Sequence, residues 1–164
     1  MASSHGPKRL DARGDEGAAM LEFIALSLVL LVPLIYLVVT LSRVQAGAFA
    51  AESAASEAAR TVVVTGVREL ENGGRRSAAM DQGERRARAA VRLVASDFGF
   101  GSDDASLVLA CGGTCLAPGS NVAAEVTVRV TLPGIPGFLS GGVPLAVEVV
   151  GTARAPVDSL TEDS

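Results

Sequence analysis

Hydrophobic residues follow three different rhythms along this chain. The first is continuous. The stretch "FIALSLVLLVPLIYLVVTL", residues 23–41, contains no charged side chain. As a helix it would span about 28 Å, close to the ~30 Å hydrocarbon thickness of a bilayer. It predicts a transmembrane helix. Pro33 stands near its middle, where a lipid-embedded helix tolerates a kink. A secretory signal peptide is the rival reading, and "AGAFA" at 46–50 offers the small residues of a cleavage site. The length of the block argues against it, because signal peptides carry a shorter apolar region.

The second rhythm is helical. "SRVQAGAFAAESAASEAARTVVV", residues 42–64, has no proline and is rich in alanine, the best helix former. Val44, Ala48, Ala51, Ala55 and Ala59 fall on one face at helical spacing. One long helix is therefore expected over residues 18–65, its first half in lipid and its second half an amphipathic stalk. The small residues of that stalk let another backbone approach closely. "ENGG" at 71–74 breaks the pattern, and residues 75–96 read as a second helix. Met80, Gly83, Ala87, Val91 and Val94 form its apolar stripe. Arg85, Arg86, Arg88 and Arg92 cluster elsewhere on it, either as a solvated face or as a contact for an acidic partner or lipid headgroups.

The third rhythm is alternation. Residues 106–111 make a short apolar strand. In "AEVTVRVTL", residues 124–132, Val126, Val128, Val130 and Leu132 alternate with polar neighbours. Residues 144–155 give a third strand, with Val147 and Val149 opposite Glu148, Val150 and Thr152. "PGIPGFLSGG" between the last two reads as a loop. The expected class is α+β: a long N-terminal transmembrane and stalk helix, then a second amphipathic helix covering a small three-stranded antiparallel sheet. The expected organisation is a disordered leader at 1–17, the long helix at 18–65, a head at 75–158 and a frayed acidic tail at 159–164.

Charge and composition narrow the function. Lys8, Arg9 and Arg13 precede the apolar block and Arg43 alone closely follows it. The leader should therefore stay in the cytoplasm and the head lie outside. The net charge of −4 signals no basic face, so no nucleic-acid partner is expected. The only histidine is His5 and the only cysteines are Cys111 and Cys115. That leaves no material for a zinc site or for a histidine-dependent triad in the head. No cofactor motif is present, and no enzyme activity is expected.

"CGGTC" sets its two cysteines four apart across a Gly-Gly turn. In an oxidising compartment this favours a structural disulfide between Cys111 and Cys115; a redox-active pair would more often be C-x-x-C beside a helix. "DFGFG" at 97–101 contains a tripeptide found in kinases, but none of the accompanying kinase motifs, and is treated as chance. Asp103 and Asp104 are either cation ligands or, better, part of a turn or helix cap.

One residue near the start of the apolar helix remains unexplained. Glu22 is the only acid after Gly17 and before the end of the block. It can be an interfacial residue favoured by the positive helix end, an intramembrane acid awaiting a partner, or part of a processing signal. It is the fifth residue after Gly17. The stretch Gly17, Ala18, Ala19, Met20, Leu21, Glu22, Phe23, Ile24, Ala25 and Leu26, with Pro33 beyond it, resembles the start of the TadE-like proteins of tight-adherence (Flp-type) pilus systems. "AASEAARTVVV", residues 54–64, is similar to a small-residue region of that family, with Arg60 as its arginine, and residues 126–158 are loosely similar to its sheet.

The resemblance implies a minor pilin or pseudopilin, a structural subunit rather than an enzyme. It implies cleavage after Gly17 by a prepilin peptidase, and pairing of the freed amine of Ala18 with Glu22 of a neighbouring subunit. Glu22, Phe23 and Pro33 would serve assembly. The implied partners are other pilin or pseudopilin subunits, the peptidase, an inner-membrane assembly platform and the lipid bilayer. Ala18 departs from the Phe or Met frequent after the glycine in major pilins. A membrane-tethered binding or adhesin module with no polymer role is the alternative from a different class.

Overall fold

The structure, a computed structural model, describes residues 13–132 and 145–158. The leader before residue 13, the Pro- and Gly-rich connection at 133–144 and the tail at 159–164 lie outside the described residues. The chain folds as α+β with five elements: α1 (Arg13–Glu71), α2 (Arg76–Asp97), β1 (Ala105–Gly112), β2 (Asn121–Thr131) and β3 (Ala146–Pro156). It divides into two compact units between Val39 and Thr40.

The first helix is longer at both ends than its sequence pattern suggests. It begins at Arg13 rather than near 18, so the last five residues of the expected leader are helical, and it ends at Glu71 rather than near 65. No proline other than Pro33 interrupts it. Gly66, which weakens a helix in isolation, is held by packing against Leu116. The end is set by Gly73 in the left-handed region (φ +81°): its N–H donates to Leu70 O at 2.9 Å, and Gly74 N–H to Glu69 O at 2.9 Å. This is a Schellman closure. Gly99 (φ +78°) ends α2 the same way, its N–H donating to Ser96 O and that of Phe100 to Ala95 O. The "DFGFG" stretch is thus a helix cap.

The sheet has the order β1-β2-β3, antiparallel throughout. Its register aligns Leu107 with Val126 and Val126 with Gly151, so these three share one face. Val122, Ala124, Val126, Val128 and Val130 of β2 are buried on it. The opposite face is solvated and carries the exposed cross-strand ion pair Arg129–Glu148 (3.2 Å), worth at most ~1 kcal/mol.

As expected, α2 packs on the sheet, against β1; α1 joins it, lying against β2 and β3. One expectation needs correcting: the alanine-rich part of α1 does not stand free as a stalk. Ala50, Ala51, Ala54, Ala55, Ala58, Ala59 and Val62 are among the most deeply buried residues of the head. Their small side chains are used within the chain and are not available to a second copy. The buried stripe on α1 is also wider than the expected line. It takes in adjacent pairs such as Ala50/Ala51 and Ala54/Ala55 because the sheet lies on one side and α2 on the other. On α2 the most buried positions are Ala79, Gly83, Ala87, Val91 and Ala95, with Met80 and Val94 at the margin.

Three glycines mark where the layers touch. A Cβ on Gly83 of α2 would come 3.0 Å from Val62 O of α1. One on Gly47 of α1 would meet a Val130 methyl at 2.3 Å. One on Gly151 of β3 would meet the backbone of α1 itself, Ala51 C at 2.3 Å. Helix and strand are therefore in backbone-to-backbone contact, which only residues this small permit.

Candidate functional site

Residues 17–41 of α1 carry the sequence-predicted site. Gly17 is the fifth residue of the helix, and among the described residues no atom beyond its own helical turns stands within 4 Å of the place its Cβ would occupy. Ala18 and Glu22 are one helical turn apart, on the same face, and both are exposed. Phe23 is 70% exposed and points away from the protein as well. Pro33 sits inside the helix, where it cannot donate the hydrogen bond that the Val29 carbonyl would receive. In a soluble protein an apolar stretch of this length would be buried. Here Met20, Leu21, Leu26, Leu30 and Leu37 are all more than 60% exposed. This is the one helix among the described residues that is long and apolar enough to cross a membrane.

A second cluster lies within the head. Cys111 and Cys115 form a disulfide with a Cα–Cα distance of 5.3 Å, as the spacing suggested. What spacing does not reveal is the function of the loop they close. Leu116, directly after it, has φ +58°, a conformation that costs a non-glycine residue about 1–2 kcal/mol. Its side chain is 2% exposed and fills the notch over Gly66 of α1, with Cδ1 2.5 Å from where a Cβ would stand. From α2, Arg76 Nη1 donates to Cys115 O at 2.8 Å. The loop therefore joins β1 to both helices. Sequence reading did not single out Leu116, Gly66 or Arg76. The available signal was an apolar residue after a tight cysteine loop.

Replacing both cysteines by serine is expected to lower unfolding stability by about 2 kcal/mol, the chain-entropy value for so short a loop. Urea-pulse proteolysis of the full chain in micelles would measure it. An unchanged midpoint would mean that Leu116 and Arg76 hold the loop without the bond.

The remaining candidates resolve into local structure. Asp104 accepts from the Gly101 N–H at 2.8 Å, closing a turn, and Asp103 accepts from the Ser102 hydroxyl at 3.3 Å. Among the described residues no three His, Cys, Asp or Glu side chains converge as metal ligands. The arginines of α2 are partly paired within their own helix, Arg85 with Gln82 and Arg88 with Glu84.

Comparison with protein-family models, with curated proteins and with solved structures found no match to this chain.

Proposed function

We propose that this chain is a membrane-anchored structural subunit, a minor pilin or pseudopilin of a tight-adherence type of pilus or secretion apparatus. The observation that carries the reading is the spacing of Gly17 and Glu22 on an apolar helix that none of the other described residues covers. Lipid and neighbouring helices are the natural cover for such a surface. The basic residues before the block orient the leader to the cytoplasm and the head outward. A disulfide in the head agrees with that side, where thiols are oxidised.

The chemistry follows from the cost of an acid in hydrocarbon. An isolated carboxylate there is expensive, and a nearby cation offsets it. Cleavage between Gly17 and Ala18 creates such a cation, the α-amine of Ala18, one turn from Glu22 on the same face. Staggering two helices by about one turn brings the amine of one against Glu22 of the next, so the cut couples processing to assembly. Since residues 50–62 are used inside the head, subunit contact falls to the exposed 18–41 segment.

Two substitutions test the reading together. Gly17→Ala, expressed beside a prepilin peptidase, is expected to keep Met1, whereas the native chain matures to Ala18; intact mass reads both. Glu22→Ala is expected to insert normally yet lose co-purification with other pilus subunits. A native chain that keeps Met1 removes the processing step. Undiminished co-purification of Glu22→Ala removes the pairing role and favours a tethered binding module.

A further inference from the structure

Within the head, the C-terminal turn of α2 lies beside residues 43–47 of α1. A Cβ on Gly99 would lie 3.9 Å from Arg43 Nη1, and one on Gly47 would lie 3.6 Å from Phe100 Cζ. The turn at 98–100 is therefore within side-chain reach of residues 43–47 of α1. Leu41 closes the charge-free run. At 1.5 Å per residue, Arg43 comes about 3 Å beyond it and Gly47 about 9 Å beyond it. The headgroup layer of one leaflet is roughly 5–7 Å thick, half the difference between the hydrocarbon core and the full bilayer. The turn thus falls within or just above that layer. Phe98, its first residue, presents a ring that is 36% exposed, and the Schellman hydrogen bonds fix its backbone. Arg43 and Asp97 are both exposed and together bring no net charge, so the surface suits a neutral phospholipid interface rather than an anionic one.

We propose that the 98–100 turn is a foot that seats the head on the bilayer, with the Phe98 ring in the headgroup layer and Arg43 beside it reaching phosphate oxygens. The inference rests on the reading of residues 23–41 as a membrane span. Its consequence is that drawing a subunit out of the membrane must also release this foot.

The chain contains no tryptophan, so single-Trp variants report position without background. The full chain is reconstituted in phosphatidylcholine vesicles carrying lipids brominated high or low on the acyl chains. Leu31→Trp probes the span, Phe98→Trp and the exposed neighbour Asp97→Trp probe the foot, and Thr114→Trp in the cysteine loop serves as a distant control. The expected result is deep quenching of the Leu31→Trp chain. For the foot variants, stronger quenching by the shallow than by the deep bromines is expected, since aromatic side chains favour the headgroup level, with none for Thr114→Trp. If both foot variants behave like Thr114→Trp while Leu31→Trp is quenched, the foot is wrong and the span stands. If Leu31→Trp is not quenched, the span reading fails and the foot with it.

Discussion

Gly151→Ala is expected to destabilise the head by about 3 kcal/mol, the largest effect expected of a methyl added at any described glycine. The new Cβ would stand 2.3 Å from Ala51 C, 2.4 Å from Ala51 O and 2.4 Å from Glu52 N. All three are backbone atoms in the middle of a long helix, so none can turn aside. Relief requires α1 to lift from β3, which loosens the row of alanines buried on either side of the contact. The roughly 0.5–1 kcal/mol that alanine recovers from a less flexible unfolded chain is too small to compensate. Gly47→Ala provides the scale. Its Cβ comes equally close, 2.3 Å, but to a Val130 methyl, which can rotate about χ1. Urea-pulse proteolysis of the full chain in micelles should therefore shift far more for Gly151→Ala than for Gly47→Ala. Equal midpoints would mean that helix and strand do not touch through backbone.

Leu116→Ala comes second, with an expected loss of about 2–4 kcal/mol. The leucine is 2% exposed and closes the notch of Gly66, so its removal leaves a cavity between the cysteine loop and α1. The left-handed backbone at 116 disfavours alanine as it does leucine, so the substitution brings no relief there. A double-mutant cycle separates the cavity from other causes. In the native chain a methyl at Gly66 meets Leu116 Cδ1 at 2.5 Å and Cδ2 at 2.8 Å. In the Leu116→Ala background the same methyl enters empty space. Gly66→Ala should thus destabilise the native chain and stabilise the variant, a coupling of opposite sign measured in one assay. Additive effects would show that Leu116 does not fill the notch.

Both predictions lie at contacts that the order of residues does not announce. The elements themselves were legible. The charge-free run before Arg43, the Gly-Gly break at 73–74 and the alternation of valines in β2 each have a local physical cause, and each predicted element is present, α1 and β2 extending beyond their patterns. The cysteine spacing was equally informative, because two residues four apart meet across a tight turn in almost any fold. The Gly17–Glu22 spacing is also a local fact, readable without coordinates. Other features were not legible because they depend on what packs where. An alanine-rich amphipathic helix suits a free stalk and a core helix equally well, and only the sheet beneath it distinguishes them. Gly66, Gly99 and Gly151 look alike in a sequence, yet one is a notch, one a cap and one a contact between two backbones.

By itself the sequence determined the class of the protein: an apolar helix of membrane-spanning length with one acid near its start, followed by an α+β head. These are properties of periodicity and charge, and they act over a few residues. The tertiary structure decided that residues 50–62 of α1 lie in the core of the head. It also placed Leu116 and Arg76 against the cysteine loop and set the turn at Gly99 beside Arg43. Those outcomes depend on close approach between segments more than thirty residues apart. Side-chain volume and backbone position in three dimensions govern such contacts, and a linear pattern carries neither.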